Sequence, residues 1–191
     1  MAENNDWVKT TNRFVAFFDI MGFKELVLKN PHDEILEKLE TLKKLSNDLV
    51  SNEYNLFEEE GYESLTRSVS FSDSFLFFSK SNSKKDALKI ILDSTVFILI
   101  ALDSNIAIKG ALSYGEVTVD FDNSLFFGQP IINAYELHDE LQMYSCIADH
   151  NFEKELQQYE NEDTVKEYTT KTKVNLKSGK VEQFTKIKSN L

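Results

Sequence analysis

Two kinds of apolar pattern alternate along the chain, and the changes between them mark its elements. Residues 14–18, FVAFF, are continuously apolar. That is the pattern of a strand buried on both faces, and the strand predicted over 13–19 ends on the carboxylate of Asp19. From Lys24 the spacing becomes helical: Leu26, Val27, Ile35, Leu36, Leu39, Leu42, Leu45 and Leu49 recur on one side, and Asn30-Pro31 breaks the run so that a second helical piece starts at Pro31. Residues 66–71 and 75–79 are β-prone and flank Ser72-Asp73-Ser74, which predicts a hairpin with a carboxylate at its tip. Over 84–102, Ala87, Leu88, Ile91, Leu92, Val96 and Leu99 share one helical face.

The second half continues in the same way. Residues 105–113 and 116–119 are predicted as two strands joined at Tyr114-Gly115, and Gly128-Gln129-Pro130 opens a third helix through Met143. A short strand over 145–148 and a polar helix over 151–159 follow. Residues 167–176 and 180–187 then flank Lys177-Ser178-Gly179, a hairpin signal. Residues 1–12 form a flexible polar tail in which Trp7 and Val8 can dock on the body, 52–63 form an acidic loop, and 13–191 make a single domain. The order of strands and helices defines an α+β sandwich. Its central sheet is mostly antiparallel, with helices packed on one side, the other side open, and an extra C-terminal hairpin.

Composition narrows the function. The 191 residues suffice for one real core, and 21 Lys and Arg against 32 Asp and Glu leave a net charge of −11. That charge argues against nucleic acid and against an anionic membrane as partners. A polyanionic ligand would need local basic residues or metal ions. The one cysteine, Cys146, rules out a disulfide framework and a thiolate zinc cluster, and suits a small buried hydrophobe. No apolar run reaches transmembrane length, since Asp93, Ser94 and Thr95 interrupt the longest. The expected location is the cytoplasm.

Asp19 is followed by Ile20-Met21-Gly22-Phe23 and then by the first helical pattern. A carboxylate at the end of a central strand can hold a metal while N–H groups at a helix start face a phosphate. The plainer reading is a strand stopping at an Asp-x-x-Gly turn. Asp73 changes the balance, because in a β-α-β-β core the end of the first strand and the tip of the following hairpin lie side by side. Two carboxylates so placed can share two divalent cations about 3.5–4 Å apart, an arrangement that phosphoryl-transfer sites often use. The other polar residues carry less: His32, His138 and His150 show no paired ligand spacing, and Glu58-Glu59-Glu60 lacks the spacing of a calcium loop. Phe71, Phe75, Phe77 and Phe78 suit core and dimer packing.

The series FFDIMGF, FSDSFLFF, IKGALSYGEV and FFGQPIINAYEL resembles the class III nucleotidyl cyclase catalytic domain, with its ferredoxin-like βαββαβ core. Within that superfamily it is most similar to the small cyclases of Pycsar antiphage defence, which make cyclic pyrimidine mononucleotides. The resemblance implies that Asp19 and Asp73 ligate two Mg²⁺ or Mn²⁺ ions, with the backbone carbonyl of Ile20 completing one site. It implies that the N–H groups of Met21, Gly22 and Phe23 cradle a triphosphate, and that the ribose 3′ oxygen attacks the α-phosphate with release of pyrophosphate. Lys109, Lys177 and Arg67 are the cations available to the phosphates.

Departures from the class III pattern qualify the resemblance. Val69 and Leu125 stand where purine cyclases read adenine, so UTP or CTP is the expected substrate. Ile132 and Glu136 stand where the class has an Asn and an Arg; Asn133, one residue along, is the replacement for the Asn. The resemblance further implies a homodimer with a composite site, and a separate cyclic-nucleotide-responsive effector that answers to the product. The alternative is a catalytically inert cyclase-fold module that binds nucleotide or regulates a partner.

Overall fold

The computed structural model describes residues 7–51, 66–159 and 163–188. The acidic loop over 52–63, with Glu58 to Glu60, lies outside them. In chain order the elements are β1 (Thr10–Ile20), α1 (Phe23–Lys29), α2 (His32–Ser51), β2 (Thr66–Phe71), β3 (Ser74–Ser79), α3 (Lys84–Asp103), β4 (Ile108–Asp120) and β5 (Leu125–Gly128). They continue with α4 (Gln129–Glu140), β6 (Cys146–Ala148), α5 (His150–Leu156), a 3₁₀ turn (Gln157–Tyr159), α6 (Asp163–Tyr168), β7 (Thr169–Asn175) and β8 (Val181–Ile187). All eight strands join one sheet in the order β2-β3-β1-β4-β6-β8-β7, with β5 paired to β4. Among the described residues, only β4 and β6 run parallel.

The continuous apolar run of β1 is explained by both faces being covered. Phe14, Ala16, Phe18 and Ile20 point into the main core beside α3, where the Phe97 ring lies 5.1–5.2 Å from those of Phe18, Phe75 and Phe77. Val15 and Phe17 point the other way, Phe17 onto Ala111 and Ala134. Ala134 belongs to α4, so the face expected to be open carries a helix. The predicted C-terminal hairpin forms as β7–β8 but is built into the sheet through β6–β8 rather than appended to it.

Strand bounds shift from the sequence reading along the chain, most at β1 and β4, and β5 is a strand the reading did not contain. β1 starts already at Thr10, and residues 7–9 just before it are pinned: Trp7 Nε1 donates to the Val119 carbonyl at 3.0 Å, and the Arg13 guanidinium lies 4.3 Å over the Trp7 ring. Tyr114-Gly115 is not a turn, because β4 runs straight through it to Asp120. Gly115 has φ 150, and a Cβ there would sit 3.1 Å from the Pro130 ring carbon. The glycine makes room for the first turn of α4. The turn itself falls later, between β4 and β5.

One buried ion pair sits in α3. Lys89 Nζ lies 2.6 Å from Asp93 Oδ1 and donates to the Leu49 carbonyl at 3.1 Å, which ties α3 to the end of α2. Cys146 is fully buried in the main core, and burial pushes its thiol well above the ordinary value.

Candidate active site

Asp19 is the next-to-last residue of β1, where its cross-strand neighbours are Ser74 on β3 and Lys109 on β4. Side chains that face one another across a ladder share a sheet face. Here that face is the one covered by α4. The Ile20 N–H donates to the Asp73 carbonyl at 3.1 Å, so the strand end is tied to the tip of the β2–β3 hairpin. That tip is a two-residue turn, Ser72-Asp73, with Ser72 at a left-handed φ of 56°.

The two carboxylates are thus brought together as the sequence reading expected. Burial first, and then the charge of Asp73, push the Asp19 carboxyl up to about 6, against the opposing pull of Lys109 and of the Ser74 hydroxyl. Two carboxylates held at one point, one of them resisting ionisation, form a donor set that a divalent cation satisfies. Asp19 is fixed by the strand ladder, and the Asp73 turn is tied to it by the Ile20 N–H to Asp73 carbonyl hydrogen bond.

The turn after β1 behaves differently from expectation in one respect. Gly22 has a left-handed φ of 70° and opens α1, with the Leu26 N–H donating to its carbonyl at 2.9 Å. The Met21 N–H, however, donates to the Ala107 carbonyl at 2.8 Å. It is committed to the fold and does not face a ligand, so the cradle expected from Met21, Gly22 and Phe23 loses its first member. The Ile20 side chain is buried in the main core, leaving only its backbone for the site.

Two lysines approach from the other side. Lys109 is buried along its stem, and its Nζ lies 3.9 Å from Asp139 Oδ1; Lys177 Nζ lies 2.7 Å from the same oxygen. Burial first, then the charge of Lys177, hold the Lys109 ammonium below its ordinary value, while Asp139 and Asp19 oppose them. Lys177 reaches this point because the β7–β8 hairpin tip is stitched to the end of α4. Its N–H donates to the Glu140 carbonyl at 3.0 Å, and the Ser178 N–H to the Glu140 carboxylate at 2.9 Å. The site therefore runs Asp73, Asp19, Lys109, Asp139, Lys177 across two strands, a helix end and the tips of two hairpins.

Sequence reasoning missed two residues of this group, His138 and Asp139. His138 Nε2 sits 4.0 Å from Asp19 Oδ2, and its ring packs 4.5 Å from that of Phe17 and 5.1 Å from that of Tyr135. The available signal was helical spacing, since His138 lies one turn beyond the buried Ala134 on the inward face of α4.

The remaining expected residues lie elsewhere. Arg67 stacks its guanidinium 4.9 Å over Trp7 and 5.2 Å over Phe121, at the far end of the hairpin from Asp73. Asn133 accepts from Gln129 Nε2 at 2.8 Å, and its Nδ2 donates to Asp149 at 3.5 Å. Asp149 follows β6, two strands away from β1, so Asn133 turns away from Asp19. Because Ala134 and His138 fix the rotation of α4, no one-residue shift brings Asn133 to the outer position. Ile132 holds that position, 49% exposed, with Glu136 exposed one turn on. Asn133 also borders a cavity of about 590 Å³ lined by Tyr114, Gly115, Gln129, Pro130 and Lys154.

No protein-family model matches the chain, and no curated protein matches it in sequence. Solved structures do match. The guanylate cyclase domain of RhGC from Catenaria anguillulae in complex with GTP aligns with a TM-score of 0.68 at 12% identity, covering 96% of this chain and 100% of that one. The adenylyl cyclase CyaB from P. aeruginosa gives 0.66 at 14% identity over 96% and 98%. A dimeric guanylyl cyclase domain of the RhoGC fusion protein from the aquatic fungus Blastocladiella emersonii gives 0.68 at 12% identity over 94% and 98%, and a monomeric form of that domain also matches. The chain has the fold of class III nucleotidyl cyclase catalytic domains.

Proposed function

We propose that the chain is a metal-dependent nucleotidyl cyclase that converts a nucleoside triphosphate, UTP or CTP, to a 3′,5′-cyclic mononucleotide and pyrophosphate. The observation that carries this reading is the pairing of Asp19 with Asp73 at the strand end and hairpin tip of a cyclase fold. Asp19 and Asp73, with the Ile20 carbonyl, would hold two Mg²⁺ or Mn²⁺ ions, which neutralise phosphate charge and favour ionisation of the 3′ hydroxyl. Lys109 and Lys177 supply positive charge for the phosphates, once released from Asp139. Gly22 and Phe23 present the helix start to the same end of the ligand.

Support for a homodimer comes from the outer face of α4 and from β5. Ile132, Tyr135 and Phe127 are each about half exposed there, an apolar surface that a second copy would cover. The pyrimidine preference rests on Val69 and Leu125, which can make no base-reading hydrogen bonds. The second messenger's role in antiphage defence, through a separate effector, rests on the resemblance of the sequence to Pycsar cyclases.

Incubating the protein with Mn²⁺ and each ribonucleoside triphosphate, with products resolved by mass, tests the reading. Cyclic UMP or cyclic CMP that requires both Asp19 and Asp73 supports it. A second reading, an inert nucleotide-binding module, is favoured by exposed Ile132 and Glu136 where the class carries Asn and Arg. Bound nucleotide without turnover of any triphosphate would select it.

A further inference from the structure

His138 is a histidine that neither the motifs nor the proposed chemistry use, yet it is 4% exposed and lies against Asp19. Its Nδ1 is hydrogen-bonded to the Tyr135 carbonyl one turn back on α4. A carbonyl can only accept, so Nδ1 carries the proton and a neutral ring has its lone pair on Nε2. An imidazole whose far nitrogen is anchored on a backbone carbonyl is oriented as metal-ligating histidines are. Phe17 and Tyr135 flank the ring and fix its plane.

The distance distinguishes a ligand from a hydrogen-bond partner. At 4.0 Å, Nε2 and Asp19 Oδ2 are beyond hydrogen-bond reach. Two donors each about 2.0–2.2 Å from one ion lie at most about 4.4 Å apart, so this gap is one an ion can bridge. Among the described residues no three His, Cys, Asp or Glu side chains converge on one point. An ion at Asp19 therefore draws its remaining ligands from Asp73 or His138, the backbone, water and substrate.

We propose that His138 Nε2 is a protein ligand to a divalent cation held on Asp19, and that this nitrogen biases the site toward Mn²⁺ over Mg²⁺. The bias follows from chemistry: Mg²⁺ demands near-ideal octahedral oxygen geometry and gives up water reluctantly, whereas Mn²⁺, a first-row transition ion, tolerates an imidazole nitrogen better than Mg²⁺ does. The inference rests on the proposal that Asp19 binds metal, and its test separates the two.

The chain has three histidines, and His32 and His150 are exposed. In the His32→Gln/His150→Gln variant, His138 is therefore the sole imidazole. Mn²⁺ is added to this variant, with uptake followed by loss of the free-ion EPR signal and nitrogen coordination by electron spin echo modulation. The expected result is bound Mn²⁺ with ¹⁴N modulation that changes to the ¹⁵N pattern when histidine is ¹⁵N-labelled. Labelling leaves the fold untouched, so the result does not depend on a variant at 138. His138→Gln is then expected to weaken Mn²⁺ binding roughly 10–100-fold and Mg²⁺ binding by less. Bound Mn²⁺ without nitrogen modulation, as a water-bridged arrangement would give, overturns the inference and leaves metal binding at Asp19 intact. No Mn²⁺ uptake, with or without a triphosphate, overturns both.

Discussion

Asp19 destabilises the chain that carries it, and removing its charge should show this. Its carboxyl ionises at about 6 in the folded protein instead of the ordinary 3.8. At about 1.36 kcal/mol per pH unit, that difference corresponds to about 3 kcal/mol. Asp19 keeps 24% of its side-chain surface in solvent, so we halve this to roughly 1–2 kcal/mol. The sign follows from the raised value: the stabilising effect of the bound proton is complete below pH 3.8 and is lost as pH rises through about 6. Above pH 7 the folded state carries the full penalty. Asp19→Asn keeps the shape and an acceptor for Ser74 but has no charge. Its metal-free form should therefore be more stable than the parent at pH 8 by roughly 1–2 kcal/mol, or roughly 2–8 °C in Tm for a chain of this size. The advantage should shrink below pH 5. Urea and thermal unfolding at pH 4.5 and 8.0 in EDTA measure the gap. A variant no more stable than the parent at pH 8, or one with the same gap at both pH values, would refute the reasoning.

Other substitutions test the fold and the ion. Mn²⁺ at 100 times its dissociation constant should stabilise the parent by about 2.7 kcal/mol at pH 8, and Asp19→Asn and Asp73→Asn should each lose most of this in a thermal shift assay. Gly110→Ala should cost at least about 3 kcal/mol by urea titration, because the added Cβ would sit 2.3 Å from Phe18 Cδ1 and 2.6 Å from the Phe17 carbonyl. Lys89→Met should cost roughly 3–5 kcal/mol, since it leaves Asp93 charged and buried; Lys89→Met/Asp93→Leu should recover most of that loss.

What the sequence disclosed and what it withheld divide along one line. Elements specified locally were legible: the β2–β3 hairpin around Asp73, the break at Pro31, the helix opened by Pro130, the turn at Lys177-Ser178-Gly179. Asp19 and Asp73 could be paired because a β-α-β-β order has few ways to pack. The errors came where a local signal served a tertiary purpose. Gly115 resembles a turn residue but clears space for Pro130, and the α4 that it admits covers the face expected to be open. His138 and Asp139 join the site through that same packing, and no spacing in the chain links either to Asp19, which precedes them by more than a hundred residues. Residues 163–168, at the edge of the predicted hairpin, form α6 instead, with Val165 buried in the main core.

The position of Asp139 has a consequence for how a triphosphate could enter. Asp19, Asp73 and Asp139 contribute −3 when ionised, and Lys109 and Lys177 contribute +2, so the group sums to −1. Both lysines already share one carboxylate oxygen. A charge within about 8 Å acts with roughly 2 kcal/mol at an effective dielectric near 20, enough to shift affinity more than tenfold. A triphosphate alone thus meets net repulsion, and divalent cations must reverse the sign before or with its arrival. Nucleotide affinity measured by calorimetry should fall at least tenfold when EDTA replaces Mn²⁺. Asp139→Asn brings the sum to zero and frees both lysines, and should restore part of the metal-free binding. Equal affinity in EDTA and Mn²⁺, or an Asp139→Asn variant that binds no better without metal, would mean that the lysines and not the carboxylates govern entry.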